Sequence, residues 1–234
     1  MKKTKVCIIV IGMHRSGTSA VTGSLSRCGF YVGPTDRLIK PNEENPKGFF
    51  ESYNIMQFND DLLTHLRNST WDEVNFLPEE LKTAPYAVEF EKRLHELIAE
   101  DYKNHDKIVI KDPRISLVLP VFVKVLSQTH KVRLLYIERN KDNVVNSLMK
   151  RNNFSNEKAK LLYDLYKNYA EYYIKAMNDK NLWKLQYEHF IQEPANDLQE
   201  CLQRFGLLEE ILFEPERIVN FVDPKLNRSI SSQK

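Results

Sequence analysis

The segment Gly12-Met13-His14-Arg15-Ser16-Gly17-Thr18-Ser19 holds the residues of this chain best suited to chemistry. Its two glycines let a loop curl so that successive N–H groups point inward, and Arg15, Ser16, Thr18 and Ser19 add donors around them. Such a curl at the start of a helix, with the helix's partial positive charge behind it, cradles a phosphate-like anion. The spacing G-x-x-x-x-G is that of a P-loop, but the rule for nucleoside triphosphates puts Lys and then Ser or Thr after the second glycine. Here Thr18 stands in the lysine's place, and the fixed cation is Arg15, inside the loop. A site built this way binds an anion without the lysine that reaches the outer phosphates of ATP.

A cradle of this kind needs a strand before it and a helix after it. Lys5–Ile11 is a continuous apolar run, as expected of a buried parallel strand. After the loop, Val21, Leu25 and Cys28 share one helical face, and Gly29 ends the helix. Residues 31–60 are rich in Pro, Asn and Gly and read as a long loop over the strand ends, a length that is usually functional. From Pro85 to about Tyr102 the apolar spacing is helical. Lys107–Lys111 is a second buried strand, ended by Asp112-Pro113, and Ser116–Ser127 reads as helix despite Pro120. Val132–Glu138 is a third strand. Asn140 caps a helix running to about Arg151, with Asp142 in its first turn.

A long helix over Asn156–Asn178, a fourth strand at Trp183–Tyr187 and a helix from Pro194 to Phe205, closed by Gly206, complete the pattern. The tail from Glu216 is weakly patterned. Strands alternating with helices give one α/β domain over residues 1–234, with a mostly parallel sheet flanked by helices. Ligands of such sheets bind outside the carboxyl ends of the strands. Gly12–Ser19, Lys111–Arg114 and Arg139–Asn140 all lie at such ends and should converge on one site.

Composition narrows the partners. A formal net charge of +2 over 234 residues advertises neither nucleic acid nor a membrane surface. No stretch has the apolar length of a membrane span, and the short apolar run before Gly12 reads as strand rather than signal peptide. Cys7, Cys28 and Cys201 form no C-x-x-C pair and read as reduced core thiols of a cytoplasmic protein. The six histidines show no metal-ligand spacing, so no metal is expected. Tyr163, Tyr166, Tyr169 and Tyr173 are spaced as a core-packing face of the long helix, whereas Trp71 is a candidate acceptor contact.

Two distant segments resemble one family. GMHRSGTS resembles the 5′-phosphosulfate-binding loop of sulfotransferases that use 3′-phosphoadenosine 5′-phosphosulfate (PAPS). Tyr136–Phe154 resembles their 3′-phosphate segment, in which an Arg leaves a strand and a Ser follows eight residues later; Arg139 and Ser147 hold that spacing. A forked cation and a hydroxyl from the second helical turn could clamp a phosphate monoester. Trp183–Leu207 resembles the family's strand–YED–helix segment, which puts Tyr187 near the nucleotide, and Asn45–Glu51 is similar to a pattern of bacterial members.

The resemblance implies a P-loop-like sulfotransferase fold and contacts to the donor from His14, Arg15, Ser16, Gly17, Thr18, Ser19, Arg139, Ser147 and Tyr187. It also exposes two departures. Where the cytosolic small-molecule branch reads Lys-Thr-His with His as base, this chain reads Lys111-Asp112-Pro113-Arg114, so Lys111 matches and Pro113 replaces the base. Other branches use a Glu after the first helix. Glu51 is then the candidate base, with Asp36, Glu43 and Glu44 as substitutes. The family's C-terminal nucleotide loop is also missing, and Lys225, Asn227 or Arg228 could stand in for it.

The expected activity is transfer of a sulfuryl group from PAPS to an acceptor hydroxyl, or an amine, leaving adenosine 3′,5′-bisphosphate (PAP). Glu51, Arg15 and Lys111 would be the catalytic residues. The acceptor is a small molecule or carbohydrate, bound by the region at about 31–105. A transferring sulfuryl carries less charge than a phosphoryl, so no metal bridge is needed. Two alternatives compete. A small-molecule kinase using ATP and magnesium is opposed by Thr18 and by the Arg139–Ser147 spacing; a non-catalytic nucleotide-binding protein is suggested by the missing histidine.

Overall fold

The computed structural model describes residues 5–82, 87–177 and 179–223. Four strands, β1 (Val6–Ile11), β2 (Lys107–Lys111), β3 (Lys131–Glu138) and β4 (Leu182–Gln186), form one parallel sheet in the order β2-β1-β3-β4. β1 is central, and every one of its residues is buried. Its register pairs Val10 with Lys111 on one side and Ile11 with Tyr136 on the other. The sheet therefore delivers the residues that follow β1, β2 and β3 to one edge.

Alternation of side chains along β1 divides the core in two. Cys7, Ile9 and Ile11 face a large cluster with Phe58, Phe90, Phe122 and Tyr166. Val6, Ile8 and Val10 face a second cluster with Val21, Leu25, Phe190, Leu198 and Ile218. The first face is covered by α2 (Tyr53–His65), α3 (Ala87–Tyr102), α4 (Ile115–Leu126), α5 (Lys141–Asn152) and α6 (Asn156–Ile174). The second is covered by α1 (Thr18–Arg27), a single turn α7 (Tyr187–Phe190), α8 (Pro194–Arg204) and α9 (Pro215–Phe221).

Local chemistry explains most boundaries. The Asn140 and Ser155 side chains accept hydrogen bonds from the N–H groups of Asn143 and Lys158 at the starts of α5 and α6. Gly29, just past the end of α1, has φ +89°, a left-handed conformation suited to glycine. Pro120 sits inside α4, where Val118 leaves helical geometry at φ −127°. Proline removes an N–H and crowds the preceding turn, which accounts for the kink.

Three expectations need correction. The long loop expected over residues 31–60 ends at Ser52, whose side chain caps α2 by accepting from Ile55 N. The signal was present, because Ile55, Phe58, Leu62 and Leu63 are the buried face of a polar-rich helix. The long helix expected to reach Asn178 ends at Ile174. The weakly patterned tail begins with α9, too short to show a helical period, started by Pro215 and anchored by buried Ile218 and Phe221.

The tyrosine face of α6 packs in the core and also ties down the chain opposite it. Tyr166 donates to the Trp71 carbonyl at 2.9 Å, Tyr169 to the Phe76 carbonyl and Tyr173 to the Leu117 carbonyl at 3.0 Å. Each of these hydroxyls thus has a backbone carbonyl as partner, as buried tyrosine O–H groups require.

Candidate functional site

The loop after β1 is held open by backbone geometry that few residues tolerate. Arg15 has φ +69° and Gly17 has φ +92°. A Cβ at Gly17 would come within 2.1 Å of the Tyr187 ring, so the glycine is needed both for its conformation and for that close approach. Ser16 turns inward and donates to the Met13 carbonyl at 2.6 Å. Gly12 N donates to Ser116 Oγ at 3.1 Å, which ties the loop to α4. Thr18 opens α1 and is buried; Ser19 follows it and lines the cleft.

The two distant motifs meet here. Arg15 Nε donates to Ser147 Oγ at 2.8 Å, across 132 positions of sequence. Arg139 Nη1 donates to the Arg15 carbonyl at 2.6 Å, and its guanidinium lies 4.8 Å from the centre of the Tyr187 ring. The Arg139 side chain is 9% exposed, with Glu188 at 4.0 Å. Burial lowers its pKa, and Tyr187 and Glu188 only partly oppose this. An anion brought to Arg139 would relieve that desolvation.

From β2, Lys111 reaches the same space. Its ammonium forms an ion pair with Glu51 and donates to Ser19 Oγ at 3.0 Å. Lys111 is 2% exposed and Glu51 9%. Burial pushes the Glu51 carboxyl above its ordinary pKa; Lys111 works against that shift without cancelling it. Pro113 lines the cleft beside them, while Arg114 turns away to pair with Asp112 at 3.0 Å and Asp60 at 2.6 Å.

His14 is wedged against Trp71, with ring centres 4.6 Å apart, and meets Tyr166 edge-on at 5.8 Å. Its Nε2 is buried with no hydrogen-bond partner. Burial first, then Arg114, Arg151, Lys111 and Arg15, hold its pKa well below 6.5, so the ring is neutral at pH 7. Trp71 packs on the core beside His14 rather than lining the cleft.

A depressed histidine pKa has a testable consequence. Below pH 6.5 the unfolded chain takes up a proton that folded His14 refuses, so stability present above that pH is lost as pH falls. His130, also lowered by burial, has the same sign. Unfolding free energy measured in denaturant should therefore fall between pH 7 and 5.5, by at most about 1.4 kcal/mol per pH unit for each histidine. His14→Gln should flatten that fall, and an unchanged slope would show that His14 does not titrate this way.

Together these groups line a cleft of about 980 Å³, counting space open to solvent. Its far wall is Glu44–Phe49 together with Phe221–Asp223. Of the site residues expected from sequence, His14, Arg15, Gly17, Thr18, Ser19, Glu51, Arg139 and Tyr187 line it. Lys111 and Ser147 reach it through Glu51 and Arg15. Ser16 faces a smaller neighbouring hollow beneath Tyr163. Among the substitute bases Glu44 lines the cleft, whereas Asp36 and Glu43 do not. Lys225, Asn227 and Arg228 lie outside the described residues.

Sequence reasoning missed Arg151 and Phe221, which also line the cleft. Arg151 was legible in principle, since it stands four residues after Ser147 and so shares its helical face. Phe221 gave no signal, because only the packing of α9 brings it there. Among the described residues no cluster of His, Cys, Asp and Glu could hold a metal ion. No described helix is long and apolar enough to cross a membrane.

A family model described as "Sulfotransferase family" matches residues 7–210. No curated protein matches the chain. Solved structures with a similar fold include the sulfotransferase domain of the Synechococcus PCC 7002 olefin synthase, 14% identical with a TM-score of 0.56 over 100% of this chain and 90% of that one. The sulfotransferase domain from the curacin biosynthetic pathway is 13% identical, with a TM-score of 0.53 over 96% of this chain and 80% of that one. A sulfotransferase from Mycobacterium tuberculosis H37Rv is 13% identical, with a TM-score of 0.50 over 99% of this chain and 72% of that one.

Proposed function

Because this chain belongs to the sulfotransferase family, we propose that it transfers a sulfuryl group from PAPS to an acceptor hydroxyl. The observation that carries this reading is the bond from Arg15 Nε to Ser147 Oγ, with Arg139 donating to the Arg15 carbonyl. It joins a loop suited to one end of the nucleotide to a clamp suited to the other. The residues fit such a ligand, since Arg15, Arg139 and the start of α1 at Thr18 and Ser19 line a cleft that also holds the Tyr187 ring.

When bound, the donor supplies the sulfuryl group and a phosphate leaving group. Arg15, Gly17, Thr18 and Ser19 hold the 5′ end, with His14 and Ser16 shaping the loop. Arg139 and Ser147 hold the 3′-phosphate, and Tyr187 packs against the nucleoside. Glu51 takes the proton from the acceptor hydroxyl as its oxygen bonds to sulfur and the bond from sulfur to the phosphate oxygen breaks. Its raised proton affinity suits a base. Lys111 favours the ionised form of Glu51 against the effect of burial and adds a fixed positive charge near the reacting end. The acceptor, a small molecule or carbohydrate, would enter from the side built by residues 31–105. Three buried free thiols accord with a reducing, cytoplasmic setting.

The test is product formation from PAPS over a broad acceptor panel with EDTA present, alongside thermal shift with PAP and with ADP. The reading expects turnover in EDTA and a larger shift with PAP. An absolute magnesium requirement with a preference for ADP would replace it with phosphoryl transfer. Within the same assay, Arg139→Lys keeps the charge but loses the fork. It should weaken PAP binding about tenfold or more, and undiminished affinity would remove Arg139 from the nucleotide site.

A further inference from the structure

We propose that the cleft contains a second anion subsite, formed by Arg151 and the outer edge of the Arg15 guanidinium, and that the acceptor carries its own carboxylate, phosphate or sulfate to fill it. The proposal rests on the sulfuryl-transfer reading above, which it deepens by naming the acceptor's chemical class.

The placement follows from α5. Ser147 and Arg151 are four residues apart, so they share a face of the helix one turn from each other. Ser147 holds Arg15 Nε. One turn further on, Arg151 Nε lies 3.7 Å from Glu44 Oε2, and Arg15 Nη1 lies 3.4 Å from the same oxygen. A carboxylate thus stands between two guanidinium groups, in an anion site already assembled and occupied by a side chain of the protein itself.

The course of α5 separates the two ends of the cleft. Arg139 stands just before the helix, 4.8 Å from the centre of the Tyr187 ring, Ser147 follows in mid-helix beside Arg15, and Arg151 lies in the last turn. Arg151 is therefore at the end of α5 away from Tyr187, the ring given to the nucleoside. A group bound at Arg151 lies beyond the loop, where the acceptor must stand.

Glu44 is suited to giving way. It projects from a short turn in which Asn42 Oδ1 accepts from Glu44 N and Asn45 N, each at 3.0 Å, so the turn is held by the Asn42 side chain and not by the Glu44 carboxylate. Its side chain is 37% exposed. A neutral acceptor would gain nothing from Arg151 and would still face the Glu44 charge. An anionic acceptor would replace Glu44 between the same two guanidinium groups.

Calorimetric titrations of glucuronate, glucose 6-phosphate and glucose, with PAP saturating and again without it, test the proposal. With PAP bound, both anionic probes should bind about tenfold or more tighter than glucose, as charged hydrogen bonds are worth. Arg151→Gln should erase that preference while changing PAP affinity less than about twofold, Arg151→Lys should keep part of it, and Glu44→Gln should tighten both anionic probes. Equal binding of the three sugars, or binding of none, would overturn the subsite. So would Arg151→Gln weakening PAP as much as the anionic probes, because Arg151 would then serve the donor. If PAP fails to bind while the anionic preference persists and depends on Arg151, the subsite stands and the sulfuryl-transfer reading falls.

Discussion

Replacing Arg15 with alanine is expected to lower kcat for sulfuryl transfer about a hundredfold to a thousandfold without unfolding the protein. Arg15 is the cation inside the loop, and it lies where the leaving phosphate would gain charge. A group fixed there before the reaction stabilises the transition state more than the bound substrate, so the loss appears in kcat. Stability should change little. Alanine at φ +69° keeps the same backbone strain, and the lost partners, Ser147 and Glu44, lie at the cleft rather than in the apolar core. Arg15→Lys should recover part of the rate. Steady-state assay with PAPS, checked by thermal unfolding, decides this, and a variant within about threefold of the parent would remove Arg15 from the chemistry.

Glu51→Gln should act on rate and stability together, through separable causes. As the proposed base, its loss should cost about a hundredfold to ten-thousandfold in kcat. As the partner of Lys111, its neutralisation leaves an ammonium that is 2% exposed without its counter-charge. Breaking a buried pair from one side costs about 3–5 kcal/mol, whereas replacing both members by neutral groups of similar volume is often close to neutral. The double variant Glu51→Gln with Lys111→Met should therefore regain most of the stability lost by Glu51→Gln while staying inactive. Denaturant unfolding and kcat, measured on both variants, read the two effects. Wild-type kcat in Glu51→Gln would place the base elsewhere, and stability unchanged by that substitution would mean that the ion pair is worth little.

β1, β2 and β3 were legible because buried parallel strands read as apolar runs, whereas β4 is an edge strand in which only Leu185 is buried. All four lie within one residue of their expected bounds. Helix ends with a local chemical cause were legible too, at Asn140, Pro194 and Gly206. What local pattern could not show was α9, with seven residues and two buried anchors. α2 was hidden for a different reason, in that its apolar positions lie among Asn, Asp and Gln in a stretch that reads as loop.

Side-chain pairings across the cleft were less legible. The Lys111–Glu51 pair joins β2 to a loop 60 residues earlier, and nothing local to either residue names the other. The same holds for Glu44 with Arg151 and for His14 with Trp71. Glu51 and Lys111 had been singled out separately, yet their contact turns two candidate catalytic residues into one coupled pair.

By itself, the sequence determined the cradle, its departure from the triphosphate rule, the alternation of strands and helices, and the Arg139–Ser147 spacing. These depend on residue type and on neighbours close along the chain, where backbone geometry and side-chain period act. Only the tertiary structure decided the strand order, the meeting of Arg15 with Ser147 and the charge that faces each cation. Those follow from register and packing between distant segments, and the energy of a buried charge is set by whichever partner the fold brings within a few ångströms.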